Sequence, residues 1–307
     1  MSFLSRFIAW TNICRYYNAT VALSAGVRLL QAQFHDENGT IHLCHTSCAL
    51  FDAGPLDTWL SSIKSWMDAN TNDVVTLLLV NSDNIDTGRI GQAFESSGIS
   101  TYGFVPSSPG EPMKTWPTLN SLISSNNRLV TFISSLSSYS TTYPYLLDEF
   151  THIFENNFSV TTASNFTCTP ARPSAVAGSV NSALSSNLMP FMNHFLDLQQ
   201  IFGIETPDVN DIASTNSPTT SGVVGSLGSS AVNCTEQYGE PLKFVLVDFF
   251  DQGNAIAAVD QLNGIQPVGR TAVPPRATTS GGSQNTKFAW QSLYTLMVIG
   301  VCVVVLG

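Results

Sequence analysis

Three apolar runs set the terms for this chain. DVVTLLLV at 73–80, RLVTFIS at 128–134 and FVLVDFF at 244–250 are hydrophobic on successive residues, not on alternate ones. A strand with one solvated face alternates. A strand covered on both faces does not, and such coverage belongs to parallel sheets wrapped by helices. The segment between the first run and the N-terminal region supplies such a helix: Leu56, Trp59, Leu60, Ile63, Trp66 and Met67 recur at three- and four-residue spacing over 55–69.

The rest of the chain repeats the alternation. A strand is predicted at 26–34, a tight turn at Asn38-Gly39 and a return strand at 41–43. Helices are expected at 89–97, 119–125 and 254–263, a helical turn at 209–214, and a Gly/Ser-rich loop at 221–230 leading into a helix. Further strands are expected at 101–105 and 188–195, and a long loop at 168–186; YLLDEFTHIF at 145–154 is ambiguous. Buried strands alternating with amphipathic helices over some 250 residues make an α/β barrel or a doubly wound sheet. No GxGxxG follows a strand and no GxxxxGK[ST] occurs, so nucleotide-binding versions lose support.

Charged residues are 11% of the 307, against about a quarter in an average domain, and the net charge is −10. Nonspecific nucleic-acid binding is therefore not expected. Ser, Thr and Asn take the surface role. Five N-x-S/T sequons, at Asn18, Asn38, Asn157, Asn165 and Asn233, and six cysteines without zinc spacing point to the secretory pathway and to glycosylation. The C-terminus carries small residues around Ser280 and Gly281, a polar spacer and a terminal apolar tail, which is the pattern of a GPI-attachment signal. The other reading is a transmembrane anchor, for which the 16-residue run after Gln291 is short. MSFLSRFIAWTNIC at 1–14 does not read as a signal peptide: Arg6 interrupts its apolar stretch.

GVRLLQAQFHDENGTIHLCHTSC at 26–48, followed by an acid-containing loop and an amphipathic helix, resembles the catalytic barrel of phosphatidylinositol-specific phospholipase C, and most of all the fungal secreted PLC-like phosphodiesterases. DVVTLLLVNSDN, RLVTFIS, PYLLDEF, MNHFLD and KFVLVDFF extend the likeness in order. The resemblance implies a distorted TIM (β/α)8 barrel over 16–266, with an unmatched segment at 1–15, a linker at 267–287 and a hydrophobic tail at 288–307. A monomer is expected, and the tail pattern and sequons place it on the outer face of the plasma membrane or in the cell wall. The implied chemistry is attack of an internal hydroxyl on a phosphodiester, then hydrolysis of the cyclic product, with two histidines as acid and base.

By order and context His45 is the second of these histidines, donating to the leaving oxygen. The first, which in the family ends the first barrel strand, has no counterpart before Gly26, so that strand reads as absent and the barrel as open there, with the 3–14 segment as a partial filler. Either a preceding coding segment is missing, or this is a short, catalytically dead form; the chain as given is expected to be weakly active or inactive. Metal-dependent members carry acids two residues apart on the second strand, and bacterial members an arginine; Gln31 and Gln33 stand there, so no bound metal or cofactor is expected.

Asp248, inside an apolar strand, is expected to support a histidine. Gln33, Asp83 and His194 are expected to contact substrate, and Arg28, His35, His42 and His152 to be structural or on the surface. Cys44 is expected to pair with Cys48 and Cys168 with Cys234, one of three connectivities open to those four; the pairing of Cys14 and Cys302 is left open. The leading function is a GPI-anchored PLC-like phosphodiesterase acting on a phosphoinositide or a related phosphodiester. Behind it stands a catalytically inactive surface glycoprotein, and more weakly a glycerophosphodiester- or sphingomyelin-cleaving barrel.

Overall fold

The apolar runs become neighbouring strands because each can hide both faces only in a layer covered on both sides. The computed structural model describes residues 7–11, as backbone alone, and 18–49, 51–200 and 205–274. The chain begins with β1 (Phe7–Thr11), α1 (Ala19–Ala25), β2 (Leu29–Glu37) and β3 (Thr40–Cys44). It continues through β4 (Asp52–Pro55), α2 (Leu56–Ala69), β5 (Val75–Asn81), α3 (Thr87–Ser96), α4 (Leu119–Ser124) and β6 (Leu129–Ser134). Next come β7 (Leu146–Asp148), α5 (Glu149–His152), β8 (Ile153–Asn156), β9 (Pro170–Arg172), α6 (Val180–Ser185) and β10 (Met189–His194). The last elements are β11 (Asp197–Gln199), β12 (Glu205–Pro207), α7 (Ile212–Thr215), α8 (Leu227–Tyr238), β13 (Phe244–Val247) and α9 (Ala255–Asn263).

Eight strands run parallel in the order β7-β6-β5-β2-β1-β13-β10-β8, with β3 and β4 extending β2 as an antiparallel flap. The circuit is that of a (β/α)8 barrel. β7 and β8, at the two ends of this order, are joined by the single helical turn α5, and no ladder is described between them.

Three sequence expectations are corrected. The barrel is not open at its first strand: β1, from the 3–14 segment expected only as a partial filler, pairs with β2 on one side and β13 on the other. An eight-stranded layer missing one member would expose two rows of unpaired backbone groups, and any extended segment that satisfies both is strongly favoured. The stretch at 101–105 is no strand; Ile99–Tyr102 forms a 3-10 turn that hands Gly103 to a lone bridge with Leu129. The 168–186 loop contains β9 and α6.

Alternation along each strand divides the core in two. Leu29, Leu78, Phe132, Phe191, Phe244 and Leu246 fill the barrel, while Leu30, Phe34, Leu77, Leu79, Val245 and Val247 face the helices. Phe132 is fully buried, 6.0 Å from Phe244 and 5.9 Å from Trp116, ring centre to ring centre. Truncating such a ring costs about 3–5 kcal/mol.

Past α9 the chain folds back: Arg270 forks onto Asp260 at 2.5 and 2.7 Å, and the Thr271 amide donates to Ser24 O at 2.9 Å. Arg270 lies over Gly26, whose φ of +112° and lack of a Cβ let the guanidinium approach. Both α1 and α9 run antiparallel to their strands, so this strap closes the strand N-terminal end, opposite the mouth. Among the described residues no helix is long and apolar enough to cross a membrane. Cys14, Cys302, Ser280, Gly281 and the apolar tail lie outside the described residues.

Candidate active site

Polar side chains gather where the inward-facing positions of the strands reach their C-terminal ends, the place where a barrel exposes its loops. β2 brings Gln31 and Gln33, both 8% exposed; β6 brings Ser134, β8 Glu155 and β10 Asn193, and Asp248 follows β13 in phase with inward Leu246. Gln33 Nε2 donates to Ser82 Oγ, while its Oε1 is buried without a protein partner.

His45 follows directly on β3. Its loop is fixed by the Cys44–Cys48 disulfide, with Cα atoms 4.9 Å apart. Thr46 takes φ of 59°, a left-handed conformation that a β-branched residue resists. The turn is closed by the Ser47 amide on His45 O, and the Thr46 hydroxyl lies 3.0 Å from His45 Nδ1. The imidazole is 7% exposed. Burial, helped by the neighbouring His35, lowers its pKa to about 4, so the ring is neutral at physiological pH.

Two groups of carboxylates line the same end. Glu155 is paired with Arg172 and accepts from Asn193 Nδ2 at 3.3 Å. Glu149 is 1% exposed; burial first, and then the adjacent Glu155, push its carboxyl well above the usual range. Asp197 is 2% exposed and is raised to about 7 by burial, with Asp248 and Glu205 adding repulsion. Sequence reasoning missed Glu149, Glu155, Arg172 and Asp197. The signal that marked Asp248, an acid inside an apolar strand, was equally present in IFEN at 153–156. Arg172 supplies positive charge at this end, where Gln31 and Gln33 bring none. Among the described residues no group of three or more His, Cys, Asp or Glu side chains is arranged to hold a metal.

The remaining expected site residues are dispersed. His194 occupies the outer face of β10, opposite Asn193. It is 1% exposed and stacked on Phe166 at 4.2 Å, and its Nε2 lies 3.1 Å from Thr215 O. It borders a recess beside the Cys168–Cys234 disulfide, on the opposite face of β10 from Asn193. Asp83 is exposed and engages His35. His35 and His42, expected on the surface and out of phase with the pocket, stand directly opposite each other in the β2–β3 ladder. Their outward neighbours Phe34 and Leu43 face the helices, which leaves both histidines on the inward side with Gln31 and Gln33. His152, fully buried, meets Trp116 edge-on at 5.6 Å and is structural. Arg28 pairs with Asp73 at 2.7 Å under Trp66. The sequon residues Asn18, Asn38, Asn157, Asn165 and Asn233 are all exposed.

This arrangement, a histidine locked by a disulfide on a flap over the polar end of an eight-stranded parallel barrel, coincides with a family match. The PI-PLC X 1 family model matches residues 7–263. The chain belongs to the PI-PLC X domain family. A PI-PLC X domain-containing protein 1 from Arthroderma benhamiae is 35% identical over 250 residues, 81% of this chain and 78% of that protein. An uncharacterized secreted protein of the same fungus is 34% identical over 290 residues, 92% of this chain but only 63% of the relative's length. The solved phosphatidylinositol-specific phospholipase C of Listeria monocytogenes overlays with a TM-score of 0.49 at 13% identity, over 85% of this chain and 94% of that one. The PI-PLC X domain here thus takes in β1 and ends with α9.

Proposed function

We propose that this PI-PLC X domain cleaves a phosphodiester, a phosphoinositide or a related compound, by histidine acid–base chemistry with His45 at its centre. The reading rests on one observation above all: His45 is buried, neutral and held by the Cys44–Cys48 disulfide at the strand ends where the domain's polar residues converge. Asp248, in phase with inward Leu246 and beside Asp197, serves to orient charge there, and Gln33 offers a hydrogen bond to a phosphate oxygen without bringing charge. The two described disulfides and five exposed sequons support passage through the secretory pathway, as does a relative named as secreted. GPI attachment near Ser280 and Gly281 is part of the same proposal and rests on the tail pattern alone.

The test is release of water-soluble phosphate ester from phosphatidylinositol vesicles, with EDTA present, by the full chain and by His45→Asn. Activity that falls at least a hundredfold in the variant supports the reading. A folded wild-type chain that neither cleaves nor binds a phosphodiester points instead to the inactive surface glycoprotein, the reading favoured by the neutral pair Gln31 and Gln33.

A further inference from the structure

We propose that the carboxylates gathered after β10 and β13, with Asp197 at their centre, receive a cationic group of the substrate. The site then takes a phosphodiester of an amino or quaternary ammonium alcohol, not an anionic phosphoinositide. The inference rests on the phosphodiesterase reading above and deepens it.

Asp197 continues the inward row of β10. Asn193 points inward, Phe195 fills the barrel, and Asp197 follows in phase, 2% exposed. Its amide donates to Val160 O at 2.8 Å, but its Oδ1 is buried without a partner, and none of the described ion pairs includes it. Its neighbours carry the same sign: Asp248, which follows β13, and Glu205 on β12. Burial first, and then the repulsion of these two, raise the Asp197 carboxyl to about 7. A carboxylate buried among like charges lacks the cation that would compensate it. A cation arriving with the substrate removes that repulsion. The rest of the mouth has the same bias. Asp83 and Asp86 follow β5, and Asp208 follows β12, while the described cations of this end, Arg89 and Arg172, are each held by an acid, Asp36 and Glu155.

A second observation is independent of the acids. Gln33, 8% exposed, stands on the inward row of β2 with its Oε1 buried and unpartnered. A carbonyl oxygen only accepts, so this position also calls for a donor. β13 lies two places from β2 in the ring, roughly 10 Å at the usual strand spacing. A diester seated between them presents a hydroxyl to Gln33 and an ammonium group to Asp197 and Asp248. A metal ion is the other cation to weigh. It needs several ligands closing on one point, and among the described residues no group of three is so arranged. An ammonium group needs only acids around it at longer range. A headgroup with further negative charge meets like charge across the mouth and is disfavoured.

The experiment compares glycerophosphocholine with glycerophosphoinositol, which share a glycerol hydroxyl beside the phosphate and differ in the charge of the other alcohol. At alkaline pH and low salt the full chain is expected to show kcat/KM about tenfold or more higher on the choline diester. Asp197→Asn, close to isosteric, is expected to erase that preference through KM, with kcat little changed. Equal rates on the two diesters, or a preference for inositol, would overturn the proposal and leave the phosphodiesterase reading standing. Lysophosphatidylcholine micelles, assayed beside the free diester, tell a lipid source of the same chemistry from a soluble one; cleavage of either supports the proposal. Calorimetry with phosphocholine gives a readout independent of turnover. Binding about tenfold weaker in Asp197→Asn supports the cation site even if no diester is cleaved, in which case the phosphodiesterase reading alone falls. No binding by the wild-type chain, or binding unchanged in the variant, overturns the site. Thermal unfolding of Asp197→Asn confirms that a loss is not one of folding.

Discussion

The Glu155 carboxylate, buried at the strand ends, accepts a hydrogen bond from Arg172 Nη2 across the antiparallel β8–β9 pair, and the guanidinium lies 4.5 Å over the Phe158 ring. The pair brings a cation and two carboxylates, Glu149 and Glu155, into one enclosed space. Burial first, and then the neighbouring Glu155 charge, raise the Glu149 carboxyl well above the usual range, which disfavours a second negative charge beside Glu155.

Removing one partner of this pair leaves the other charge stranded. Arg172→Met is expected to destabilise the domain by about 3 kcal/mol, near the lower end for a broken buried pair because the arginine side chain is 27% exposed. Urea unfolding should show Arg172→Met/Glu155→Gln recovering part of that loss. A single variant as stable as wild type would show that the pair contributes nothing net.

His45 makes the fold acid-sensitive. Its folded pKa of about 4 lies below the ordinary 6.5, so the neutral ring contributes stability that is complete above 6.5 and is lost as pH falls towards 4. The loss approaches roughly 3 kcal/mol for the 2.5-unit difference. His45→Gln should therefore narrow the gap between unfolding midpoints at pH 7 and pH 4.5; an unchanged gap would place the acid sensitivity elsewhere.

Asp197 has the opposite sign. Its folded pKa of about 7 lies above the ordinary 3.8, so stability is fully present below 3.8 and declines as pH rises to about 7. Asp197→Asn removes that decline. It is expected to stabilise the domain little at pH 4 and by up to about 4 kcal/mol at pH 8. Equal effects at both pH values would mean that the carboxylate is already ionised in the fold.

The two disulfides differ in what they do. Cys168–Cys234 spans 66 residues and Cys44–Cys48 only 4, so chain entropy assigns them about 4 and about 2 kcal/mol. Replacing Cys168 and Cys234 by Ala should lower Tm the more. Replacing Cys44 and Cys48 should lower it less and cost more in phosphodiester turnover, because that bridge fixes the backbone at His45. The reverse ranking in both assays would contradict this division.

Much of the barrel was legible in the chain. β2, β5, β6, β10 and β13 announce themselves by continuous apolar runs, α2 by its periodic stripe, and the β2–β3 hairpin by Asn38-Gly39, which take φ of 52° and 88°. β1 was not legible. FIAWT is too short to declare itself, and becomes a strand because β2 and β13 each offer it an open edge.

Local chemistry along the sequence determined which elements form, in what order, and that His45 sits at a hairpin's end beside a cysteine pair. It also fixed relative faces within a single strand: Gln31 and Gln33 share a face by alternation alone, with Arg28 on the other. Only the tertiary structure decided how faces on different strands meet. The register of β10 against β8 and β13 turned Asn193 inward and His194 outward, and the hairpin register set His42 opposite His35. Burial then biased charge, lowering the His45 pKa to about 4 and raising that of Glu149. The reason is physical: alternation is a property of one strand's backbone, whereas register and desolvation arise only when strands pair and water is excluded.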